Sequence, residues 1–206
     1  MRTIVVIDAP EPSITLDEAK EHLRVDFDDE KDLITALVAA VEGHLQGPDG
    51  WLGRSLAPQR LELRSDSFCD DLPSARHRVS GEACGWWNEI RLPLTPVTGI
   101  VSVKYMDPNG AEQTLPADQY SLVGSSLVSL LPGLSWPSTQ PIREAVRIQY
   151  DAGYAALPPP VRAAMLLMLG DLYRNRETTG IGKGEQTAIA MSVTVEALLA
   201  PYRTFI

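Results

Sequence analysis

A chain of 206 residues, 44% of them hydrophobic, can bury one sizeable core or two small ones, and its composition excludes the disordered and fibrous classes. A formal net charge of −9 argues against a protein whose main work is gripping nucleic acid phosphates, because such binding draws on clustered Lys and Arg. The longest apolar stretch, Ala163 to Leu169, falls short of the roughly 20 residues a membrane span needs, and Ile4-Val5-Val6-Ile7 is too short for a secretion signal, so neither a membrane span nor export is expected.

The first clear element starts at Thr15-Leu16-Asp17-Glu18, where Thr15 can cap a helix and Glu18 can reach back to complete a capping box. That short helix should run to about Arg24. Asp26, Asp28 and Asp29 then supply a cap and favourable charge for a second helix, with Leu33, Ile34, Leu37, Val38, Val41 and Leu45 on one face and Gly47-Pro48-Asp49-Gly50 as its stop. From Gln59 to about Asp151 the period changes to two. Leu61/Leu63, Ile90/Leu92, Val101/Val103/Tyr105 and Val146/Ile148/Tyr150 alternate with polar neighbours as half-buried strands do. Asp107-Pro108-Asn109-Gly110 has the turn chemistry to join Ile100–Met106 to Glu112–Leu115 as a hairpin. Between Ser65 and Asn88 no period holds, and the stretch reads as a long excursion carrying Trp86-Trp87. Pro158-Pro159-Pro160 presets a third helix with Val161, Ala164, Met165, Met168, Leu169 and Leu172 on one face; Leu166, Leu167 and Tyr173 make it apolar on a second. A central core helix and a helix between two subunits both fit that pattern. Glu177 to Ser192, with three glycines, reads as a mobile loop, and a last helix should span about Thr194 to Ala200 before Pro201 and the tail Tyr202 to Ile206.

Chemistry is sparse along this chain. Cys69 and Cys84 lack a CxxC pattern and are expected to be free thiols, with His77 completing no metal set. His22, His44 and His77 have no motif around them that would serve a nucleophile. Gly180-Ile181-Gly182-Lys183-Gly184 lacks the spacing of a phosphate-binding loop, and Asp26-Asp28-Asp29-Glu30 lacks the Gly and terminal Glu of a calcium loop. No catalytic residue, cofactor or metal is predicted.

Several segments together resemble the phage head-tail connector (adaptor) family, as found in long-tailed phages and gene transfer agents. Ser13 to Asp26, followed by Asp28-Asp29-Glu30 and Leu33-Ile34, is similar to its N-terminal signature. The likeness continues through Arg91-Leu92-Pro93-Leu94-Thr95-Pro96-Val97, the strand and turn Val101 to Gly110, Gln149-Tyr150-Asp151-Ala152-Gly153-Tyr154, Tyr173-Arg174-Asn175-Arg176-Glu177 and Val195 to Arg203. The excursion 65–88 and the strand-like segment before Pro10 depart from the pattern. The resemblance implies an α+β subunit, 1–206, with a helical connector core of about four helices (14–50 and 158–206) and a small antiparallel β insertion (59–151). It implies a dodecameric ring, assembled in the host bacterial cytoplasm, that sits at the head-tail junction of a virion or phage-like particle, under the portal protein and above a stopper or tail-completion protein. Double-stranded DNA would pass through its lumen without sequence-specific binding, and an acidic wall would prevent sticking.

On this reading the C-terminal residues Leu198, Leu199, Tyr202, Arg203, Phe205 and Ile206 are the expected portal contact, because apolar and aromatic groups after a helix-stopping proline want a pocket. Leu166, Leu167, Tyr173, Arg174 and Arg176 are the expected subunit interface. Two other readings compete. An aromatic-lined carbohydrate- or peptide-binding module would use Trp51, Trp86, Trp87 and Trp136, and a hydrolase would need an acid pair such as Asp70/Asp71 or Glu82/Glu89 in a concave pocket.

Overall fold

The structure, a computed structural model, describes residues 2–69, 89–175 and 191–204. It divides into two compact units, Met1–Pro10 with Pro58–Gly153 and Glu11–Ala57 with Tyr154–Ile206.

The first unit is built of strands. β1 (Arg2–Asp8), β2 (Gln59–Ser65), β4 (Val97–Met106), β5 (Glu112–Leu115) and β8 (Val146–Ala152) form an antiparallel sheet in the order β1-β2-β8-β4-β5. β3 (Glu89–Arg91), β6 (Tyr120–Val123) and β7 (Leu127–Leu130) form a second antiparallel sheet, ordered β3-β7-β6. Alternation decides which face is covered: Leu61, Leu63, Val146, Ile148, Tyr150 and Val103 point to one side and are at most 1% exposed, while Arg60, Glu62, Arg64, Arg147, Gln149 and Asp151 take the other. The covered side shares one core with Ile90, Val128, Leu130 and Tyr120 of the second sheet, each buried side chain stabilising by about 1.5–3 kcal/mol. Tyr150 lies at the centre, its hydroxyl donating to the Pro93 carbonyl at 2.9 Å. Burial raises the pKa of that phenol, so it stays protonated.

The hairpin of β4 and β5 is closed by Asp107, whose carboxylate accepts from the Asn109 and Ala111 amides at 2.9 and 3.0 Å, while Gly110 takes the positive φ, +84°, that the turn requires. These bonds, the Ala111 amide foremost, hold the Asp107 pKa below the usual carboxylate range. Val101 departs from the expected alternation. A register shift between Ile100 and Ser102 turns it outward to 42% exposure.

The second unit is helical. α1 (Leu16–Leu23) starts at Thr15, whose hydroxyl accepts from the Glu18 amide at 3.3 Å, and ends at Arg24 in the left-handed conformation. α2 (Lys31–Leu45) follows. Its N-cap is Glu30 with no side-chain cap bond, so Asp26, Asp28 and Asp29 do not cap it; Asp28 pairs with Lys20 instead, and the Lys20 ammonium lowers its pKa. α3 (Pro159–Arg174) begins on the proline run, and α4 (Val193–Leu199) is capped by Ser192, which accepts from the Val195 amide at 3.3 Å. Ile34, Val38, Val41, Leu45, Val161, Ala164, Met165, Met168, Leu169, Val195 and Leu199 make one core.

This architecture corrects the expected helical core with a small β insertion. Among the described residues, eight strands in two antiparallel sheets, β1 among them, make a compact unit with its own core. Free thiols are corrected too: Cys69 is disulfide-bonded. Cys84, His77, Trp86 and Trp87, and the loop 178–190, lie outside the described residues.

Candidate interface elements

The C-terminal segment rests on a platform made by the turn after α2. Gly47 and Gly50 shape this turn; a Cβ on Gly50 would lie 2.2 Å from the Gln46 carbonyl oxygen, so only glycine fits there. Backbone bonds from Trp51 to His44 (2.9 Å) and Leu52 to Leu45 (3.0 Å) fold the turn back on α2 and set Trp51 and Arg54 at its surface. Contacts with this platform then dock the tail. The Arg54 Nε donates to the Tyr202 carbonyl, the Thr204 amide donates to the Leu52 carbonyl at 2.9 Å, and the Arg203 guanidinium lies over the Trp51 ring, 4.6 Å from its centroid. A shallow cleft of about 420 Å³ beside this contact is lined by His44, Asp49, Trp51, Arg203 and Thr204. His44 Nε2 and Thr204 Oγ1 are enclosed with no hydrogen-bond partner among the described residues.

Of the six residues expected to meet a portal, Leu199 is fully buried in its own unit, Leu198 and Tyr202 pack partly against that core, and Arg203 is exposed. Phe205 and Ile206 lie outside the described residues. The α3 set divides similarly. Leu166 and Tyr173 pack on their own unit, the Tyr173 hydroxyl donating to the Glu30 carboxylate, while Leu167, at 40% exposure, and Arg174 face outward. Arg176 lies outside the described residues.

Two charged features were not legible in the sequence. Glu42 is buried on α2 and accepts the Ser13 backbone amide, tying the entry of α1 to α2; burial raises its pKa, only partly offset by that bond. The second is a charge lattice on the polar face of the five-stranded sheet. Arg60 makes a two-point contact with Asp151 at 2.8 and 3.3 Å, Arg64 bonds Glu62 and Glu144, and Lys104 and Arg147 share Glu112. Glu62 is nearly enclosed. Burial alone would raise its pKa, but the bonds from Gln149 and Arg64 outweigh it and bring the pKa below the ordinary value. Strand alternation marks this face as polar but not its pairing: across β2 and β8 Arg60 opposes Asp151, while Glu62 opposes the neutral Gln149 and Arg64 opposes Arg147.

The aromatic and acidic alternatives find little here. Trp136 is 8% exposed, stacked on Phe68 at 4.6 Å within the sheet core, while Trp51 belongs to the helical unit. Glu89 is exposed, and Asp70, Asp71 and Glu82 lie outside the described residues. Among the described residues no cluster of His, Cys, Asp or Glu could hold a metal ion, and no helix is long and apolar enough to cross a membrane.

Comparison with known proteins supports the resemblance over the N-terminal part of the chain. Residues 13–71 match the family model of the phage gp6-like head-tail connector proteins. The whole fold is similar to chains in the neck of an empty gene transfer agent particle, computed with C6 symmetry, and in the neck of a native particle, computed with C12 symmetry. Each is 20% identical, with a TM-score of 0.64 over 99% of this chain and 96% of the other. A chain in the virion of the native particle aligns as well, with a TM-score of 0.63. No curated protein matches the sequence.

Proposed function

We propose that this chain is a structural subunit of a head-tail connector, one of a set of identical copies that form a ring, dodecameric in the full assembly, under the portal of a phage-like particle. The ring extends the DNA channel toward a stopper or tail-completion protein, and the protein performs no catalysis. The observation that carries this reading is the connector-family match over 13–71, which covers α1, α2 and the platform that receives the C-terminal segment. The shared fold with gene transfer agent neck chains over nearly the full length supports it. So does the acidic balance of −9, which suits a wall that DNA passes without binding.

In the ring, α3 meets the neighbouring subunit through Leu167 and Arg174 with Arg176, while Leu166 and Tyr173 hold the helix in place from inside. The portal contact is made by the end of the chain, with Arg203 and Tyr202 presented by Trp51 and Arg54, Leu198 and Leu199 seating the segment, and Phe205 and Ile206 completing it. Native mass spectrometry and negative-stain images of the purified chain, alone and with portal rings, test the reading. Closed rings that stack on the portal are expected; a chain that stays monomeric and ignores the portal would overturn it.

A further inference from the structure

We propose that the five-stranded sheet is continued from subunit to subunit, the edge strand β1 of one copy pairing in parallel with the edge strand β5 of the next. This inference rests on the ring reading and names the surface that a ring would use.

Among the described residues β1 and β5 are the two edges of the sheet. β1 is an unusual edge. Exposed edges are normally blunted by Lys, Pro or inward charge, yet Thr3-Ile4-Val5-Val6-Ile7 is apolar on both faces but for Thr3, and Val6 and Ile7 are 50% and 43% exposed. Such a strand offers backbone donors and acceptors and an apolar surface to another strand.

The geometry selects the partner. All four pairings across the sheet are antiparallel, so β1 and β5 run in the same direction. Pairing β1 with β1 of another copy would need a two-fold axis and would end at a dimer, whereas β5 against β1 is head-to-tail and can repeat around a ring. The registers agree. Thr3 lies level with Arg64, Arg147, Lys104 and Thr114, and Ile4 with Leu63, Ile148, Val103 and Leu115; the register shifts of the sheet lie elsewhere along the strands. A neighbour's β1 placed beside β5 at the same level therefore sets Thr3 against Thr114 on the charged face and Ile4 against Leu115 on the core face. Slippage by one residue would turn the covered face of the neighbour's whole sheet onto the charged side of this one, so the register can change only in steps of two.

Cysteine pairs read this directly, because neighbouring strands bring opposed Cα atoms within disulfide range and Cys69 is already engaged. In the full chain, Thr3→Cys with Thr114→Cys, or Val5→Cys with Thr114→Cys for the register two residues on, should give a ladder of disulfide-linked multimers on mild oxidation, and neither single variant should. Val6→Lys, at a half-exposed site, should raise the concentration needed for ring formation by about tenfold or more, as edge lysines oppose strand pairing. Rings without a ladder from either pair would overturn the edge pairing and leave the connector reading standing. Linked dimers from Thr3→Cys alone would overturn it in favour of a two-fold contact. A chain that is monomeric at every concentration would overturn both.

Discussion

Replacing Arg54 by Met tests whether the C-terminal segment is held by its own subunit. The guanidinium donates to the Tyr202 carbonyl and reaches the Tyr154 hydroxyl at 3.5 Å, across about 150 and 100 residues of sequence respectively. Methionine keeps much of the stem's packing and removes both donors. A hydrogen bond from a charged group is worth about 1.5–3 kcal/mol, and the half-buried position of Arg54 leaves some of that recoverable by water, so a loss of about 2 kcal/mol is expected. In a chain of this size that corresponds to a fall in Tm of about 4–8 °C. The local readout is the Thr204 amide, bonded to the Leu52 carbonyl at 2.9 Å, which hydrogen exchange should find protected in the parent and open in the variant. If stability falls as expected while Thr204 stays protected, Arg54 is not what holds the segment down, and the Arg203 contact with Trp51 must be sufficient.

Two further outcomes follow from Glu42 and Cys69. Because burial raises the Glu42 pKa above its unfolded value, the folded state binds that proton more tightly, so its contribution favours folding at low pH and is lost as pH rises from the unfolded toward the folded pKa. Glu42→Gln should therefore gain on the parent in urea midpoint as pH rises above the unfolded carboxylate range and level off above the folded pKa; a difference independent of pH would refute this. Cys69 being disulfide-bonded, a reducing agent should lower stability by about 2–4 kcal/mol, where free thiols would show no response.

What the sequence revealed was local. Thr15 and Pro158 act within one turn, so α1 and α3 could be read from caps and a 3.6-residue period, and the Asp107 turn from its own four residues. The extent of the β unit could not be read this way. β1 pairs with β2 more than fifty residues away, and a continuous apolar run carries no period to announce it; β3, β6 and β7, of three or four residues each, are too short to show one. The helix start at Glu30 was misread for a related reason: three aspartates near a helix look like caps, but Lys20, one turn of α1 away, claims Asp28.

The same distinction between local and distant explains the C-terminal segment. Tyr202, with its aromatic ring after a proline, reads in isolation as a group that lacks a pocket, and the sequence reading assigned that pocket to another protein. The structure seats it partly on the core of its own unit, while Arg54 bonds its carbonyl and Trp51 receives Arg203, contacts that depend on Gly50 permitting the turn after α2. The cation over a ring, the charge-assisted bond and the backbone bond together contribute about a few kcal/mol to docking the segment, and the ring contact and the bond through Arg54 are not fully shielded from water. That strength keeps the tail in place on a free subunit without putting it beyond reach of a partner that offers Tyr202 and Arg203 a deeper site. A portal contact through this segment is therefore compatible with the docked tail only if the partner either engages the exposed Arg203 where it lies or replaces the Arg54 bond with a better one. Arg54→Met separates these routes: portal affinity should fall if the docked form is the one recognised, and should rise if release comes first.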